Sequence, residues 1–83
     1  MSDEELHRQA YNCAFNDLGF AWHWDRATYA TLPEGSQRVR AYVEREHPHL
    51  LRSYEPDFLV GAVEEAKARC HAVLTRPREH HAL

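Results

Sequence analysis

The sequence predicts an all-α protein, a small helical bundle with three main helices, over about 3–18, 37–47 and 56–75, and one or two short ones. Three observations predict it. Apolar residues recur at helical spacing across each of those stretches. Each stretch is bounded by a capping residue, a glycine or a proline. The one alternating run, Phe20-Ala21-Trp22-His23-Trp24, has no second run to pair with as a sheet.

The first helix opens at Ser2 with Glu5 three residues on, the spacing of a capping box. Gly19 is its natural stop. Leu6, Ala10, Tyr11, Cys13, Ala14, Phe15 and Leu18 fill an arc of about 200° at helical spacing. One neighbour covers about half of such an arc, so this helix is expected to touch two neighbours, or one neighbour and a second subunit. The alternating run then reads as an extended connector that lays three aromatics onto the helices. Asp25 is placed to cap a short helix over about 26–31.

Leu32-Pro33-Glu34-Gly35 is a turn, and Ser36 stands where a cap of the next helix belongs. Pro48 ends or kinks that helix, and His49–Ser53 fits one further helical turn. Glu55-Pro56 opens the last helix, proline being tolerated in a first turn. Phe58, Leu59, Ala62, Val63, Ala66, Cys70, Val73 and Leu74 again make a wide apolar arc. Pro77 closes the helix, and residues 76–83, with His80-His81, read as a frayed polar tail.

The totals bound the function. Eighty-three residues make a single domain, 1–83, that buries only about 60–65% of its unfolded surface. A net charge of −3 argues against nucleic acid. Seven histidines mean that mild acid reverses the sign of the net charge. The acidic start Ser2-Asp3-Glu4-Glu5 lacks the basic and apolar pattern of a signal peptide, and no run approaches the ~20 apolar residues of a membrane span. A cytoplasmic protein with no membrane partner is expected. Cys13 and Cys70 are too few for a disulfide scaffold and read as reduced core thiols.

Three charges break the apolar pattern. Asp17 projects among Leu6, Ala10 and Cys13; Glu46 lies between Val39 and Tyr42; Arg69 lies between Phe58 and Ala62. A buried charge needs a partner, so a network of Arg69 with Asp17, Glu46 or both is expected; the alternative is that Asp17 and Glu46, near the ends of their helices, reach water. The indole N–H groups of Trp22 and Trp24 also need acceptors where buried.

Trp22-His23-Trp24-Asp25 holds the greatest concentration of unusual side chains. In the structural reading the tryptophans are anchors and His23 faces water, since neighbours on an extended chain point to opposite sides. In a second reading Trp22, Trp24, Arg26 and Tyr29 form a partner surface, because Trp, Tyr and Arg are enriched at binding hot spots. In a third, His23 and Asp25 join His47 and His49 to bind a divalent transition metal. No HExxH, CxxC, GxSxG or phosphate-binding glycine pattern occurs.

The wide apolar arcs and the aromatic load exceed what three short helices easily cover. The sequence therefore favours a non-enzymatic interaction or accessory module that self-associates, with a homodimer as the simplest form. A metal- or ligand-binding protein built on the His/Asp cluster is the alternative. No cofactor is expected apart from that metal.

Overall fold

Helix α1 (Asp3–Asp17) is followed by α2 (Arg26–Ala30), α3 (Gln37–Glu46), a 3₁₀ turn over Pro48–Arg52 and α4 (Pro56–Thr75). The computed structural model describes residues 3–76, and no strand occurs among them. The fold is all-α. Ser2 of the expected capping box and the expected tail beyond Arg76 lie outside the described residues.

The helix ends follow from local chemistry. Gly19 adopts a φ of 81°. This lets its N–H reach the carbonyl of Asn16 and the N–H of Phe20 reach that of Phe15, which closes α1 with two nested hydrogen bonds. Asp25 caps α2 through its carboxylate, which accepts from the Thr28 N–H at 2.7 Å. Ser36 does not cap α3 in this way. Its φ and ψ of −66° and −14° are already helical, and its side chain makes no cap bond; the Gly35 carbonyl takes the Arg38 N–H instead. Pro48 stops α3 at Glu46 and begins the 3₁₀ turn, and Pro56 sits in the first turn of α4.

Helices α1 and α4 pack side by side. Tyr11, Ala14 and Phe15 of α1 and Leu59, Val63 and Ala66 of α4 are buried, the latter at the i, i+4, i+7 spacing of one helix face. Val39 and Val43 of α3 and Trp24 complete the core. Across the α1–α4 seam, the Tyr11 hydroxyl donates to Glu64 at 2.6 Å and the rings of His7 and His71 stack at 4.9 Å.

The seam also carries a disulfide. Cys13 and Cys70 are bonded to each other, with Cα atoms 6.1 Å apart and a separation of 57 in sequence. This corrects the expectation of two reduced core thiols. Each cysteine lies on the apolar face of its helix, and when those faces meet the two sulfurs come within bonding reach. Closing so long a loop is worth about 4 kcal/mol by the chain-entropy argument.

Candidate functional site: the uncovered face of α4

The aromatic connector belongs to the core. Trp24 is 0% exposed and packs against Tyr11, Phe15 and Tyr42. Trp22 is half-buried, stacked between Phe20 at 4.1 Å and His47 at 4.9 Å. The alternation that suggested a strand instead sends two indoles inward while His23 remains exposed. Of the four residues expected to form a partner surface, Trp24 is thus removed from the surface altogether. Arg26 is exposed but bonds to Glu5 at 3.4 Å, and Tyr29 is half-buried with its hydroxyl donating to Glu4 at 2.8 Å. The Trp24 indole nitrogen, expected to need an acceptor when buried, has none among the described residues.

Polar side chains of α1 hold the connector. Asn12 accepts from the Trp24 N–H at 2.7 Å and donates to the Trp24 carbonyl at 2.9 Å, and Arg8 donates to the same carbonyl at 2.9 Å. Arg8 also pairs with Glu5 one turn earlier. That hydrogen-bonded ion pair holds the Glu5 carboxyl down at about 2, with Gln9 and Arg26 adding to the effect. Sequence reasoning passed over these residues. Their signal was a polar face on α1, Glu5-Arg8-Asn12, at three- and four-residue spacing.

The expected charge network does not form. Arg69 is exposed and its nearest carboxylate is Glu65, 3.9 Å away on the same helix. Glu46 pairs with its neighbour Arg45 at 3.0 Å, and Asp17 is exposed beside Cys70. Asp17 and Glu46 are the last residues of α1 and α3, and Arg69 lies at the edge of its apolar arc, so a short reach brings each of them to water. The buried guanidinium is that of Arg38, 8% exposed, which lies over the Tyr29 ring at 4.6 Å and donates to Glu4 at 3.2 Å.

His23, Asp25, His47 and His49 do not converge either. His47 stacks on Trp22 and meets His49 edge-on at 5.9 Å, while Asp25 is committed to its helix cap. Among the described residues, the one group of potential ligands whose donor atoms all lie within 4.8 Å is Cys13, Asp17 and Cys70.

What the packing leaves uncovered is one side of α4. Gly61, Glu65, Ala68 and Ala72 are all exposed, and at 100° per residue they fall within about 60° of one another. Phe58 and Val73 flank them, 63% and 59% exposed. Two charges at this strip, Glu65 and Arg69, face each other one turn apart. Beside it, Leu74 and Val73 join Cys13, Asp17, Arg69 and Cys70 around a shallow groove of about 160 Å³. The surplus width of the apolar arc on α4 is therefore surface. No helix among the described residues is long and apolar enough to cross a membrane.

Comparison with known proteins adds relatives of one kind. The chain is similar to proteins named CbbY. It is 33% identical over 72 residues to the plasmid-borne CbbY of Cupriavidus necator, a match that covers 83% of this chain and 28% of that protein. It is 39% identical over 46 residues to the CbbY of Cereibacter sphaeroides, covering 52% of this chain and 20% of the relative. The matches thus span less than a third of either CbbY protein. No family model matches the chain, and no solved structure matches it.

Proposed function

We propose that this chain is a helical interaction module whose partner is a second copy of itself, with α4 as the contact element. The observation that carries this reading is the exposed strip Phe58, Gly61, Ala68, Ala72 and Val73 on the longest helix of the molecule. Small residues let a second helix approach closely, and Phe58 and Val73 supply apolar surface at its edges.

The charges favour a copy of the same chain. In a twofold contact the same patch serves both protomers and must complement itself. If two α4 helices cross antiparallel about a dyad at Lys67, Glu65 of each meets Arg69 of the other, and Gly61 receives Val73 as a knob in a hole. The similarity to segments of longer CbbY proteins is compatible with a module that works against another folded surface.

A charge swap tests the reading. Glu65→Arg alone is expected to dissociate the dimer in sedimentation velocity, and Glu65→Arg with Arg69→Glu to restore it. Equal association in all three proteins overturns the proposed contact.

A further inference from the structure

We infer that, when the Cys13–Cys70 bond is reduced, the two thiolates and the Asp17 carboxylate form a binding site for a thiophilic divalent cation of the zinc class. Cys13 and Asp17 stand four residues apart on one face of α1, the spacing at which two helical side chains reach a common point. Cys70 reaches the same point from α4. The three donors already lie within 4.8 Å of one another.

The spacing suits a metal as well as a disulfide. Zinc–sulfur bonds of about 2.3 Å in tetrahedral geometry set the two sulfurs about 3.8 Å apart. Cα atoms 6.1 Å apart accommodate that by side-chain rotation, without moving either helix. Two thiolates and a carboxylate are a donor set that zinc accepts, leaving its fourth position to water. Cys70 is only 5% exposed, which shields one side, while the groove lined by Val73 and Leu74 gives access from the other. A dication on three anionic ligands leaves one negative charge, and Arg69 on the groove wall offsets it.

The disulfide and the metal exclude each other because the cation binds thiolates, and these form only when the S–S bond takes up two electrons. Two equivalents of a thiol reductant break the S–S bond, deliver two electrons and two protons, and leave as their own disulfide. The cation then displaces both thiol protons. The site is thus loaded only in the reduced chain and emptied by oxidation.

Cobalt(II) is the probe, since thiolate ligation gives a near-ultraviolet sulfur-to-cobalt band that histidine or carboxylate ligation does not. The reduced protein should take up one equivalent with that band, and zinc should bleach it. The oxidised protein should show no band. Loss of an outer-shell partner alone weakens metal binding about 10–100-fold, so Asp17→Asn, which keeps both thiols, should weaken it by about 100-fold. Cys13→Ser should abolish the band, with circular dichroism confirming the helices. A reduced protein with no thiolate band overturns the inference. So does a band that Asp17→Asn leaves at full affinity.

Discussion

Asn12 holds Trp24 by both of its backbone polar groups, accepting from the N–H at 2.7 Å and donating to the carbonyl at 2.9 Å. A side-chain amide thereby does for the extended connector what a neighbouring strand does in a sheet. This helps explain how a run with strand-like alternation is stable in an all-helical protein: the backbone polar groups of its innermost residue, Trp24, are satisfied by α1, and its indoles fill the space between α1 and α3. Asn12→Ala should destabilise the fold by about 1–3 kcal/mol, the cost of leaving the Trp24 N–H unpaired, while Arg8 still satisfies the carbonyl. Urea unfolding followed by tryptophan fluorescence measures it.

Burial separates the adjacent residues of the connector. Trp24→Ala removes the largest fully buried side chain and should cost about 3–5 kcal/mol. His23→Ala, at an exposed position between the two indoles, should stay within about 0.5 kcal/mol. Thermal unfolding of the two variants checks the contrast.

Arg69 tests where the charge lies. A buried partner of Asp17 or Glu46 would make Arg69→Met cost about 3–5 kcal/mol. The guanidinium instead sits in solvent beside Glu65, and exposed pairs contribute about 0–1 kcal/mol. Arg69→Met should therefore leave monomer stability nearly unchanged. Arg38→Met should destabilise clearly, because it strips the buried cation from Tyr29 and Glu4.

Glu5 and His7 each give the stability a dependence on pH. Glu5 is held down at about 2 from an ordinary 4.5, chiefly by its bond to Arg8. Its folded form binds fewer protons than its unfolded form, so its contribution is present above about pH 4.5 and is lost as the pH falls toward 2. His7 is pushed below its ordinary 6.5, first by burial and then by the nearby Lys67, His71 and Arg38, with Glu4 opposing. The folded state favours the neutral imidazole, so acidification below about 6.5 also destabilises. His7→Gln should flatten the loss near neutral pH, and Glu5→Gln the loss below pH 4.5. Denaturation midpoints taken across both ranges separate them.

The helices were legible because their signals are local. Asp25 as a cap, Gly19 as a stop and the proline at position 48 each act on their own turn of chain. The wide arc on α4 was legible too, although which half of it is buried depends on where α1 and α3 pack. The misreadings share a different cause. Whether Arg69 or Arg38 turns inward depends on one side chain's reach across a helix edge, and wheel angles do not carry that. The Cys13–Cys70 bond needs two residues 57 apart in sequence to face each other. The clamp on Trp24 was missed because Asn12 looks like an ordinary surface residue until the connector lies against it.

Sedimentation equilibrium of the oxidised chain at neutral pH, beside Phe58→Glu, decides whether α4 is a self-contact. Phe58 is 63% exposed, so the substitution leaves the core intact while placing a charge on the α4 strip. The native sequence should form a reversible dimer and the variant a monomer, with equal helix content by circular dichroism. A native chain that stays monomeric over the full concentration range, or a dimer that Phe58→Glu leaves untouched, would contradict it.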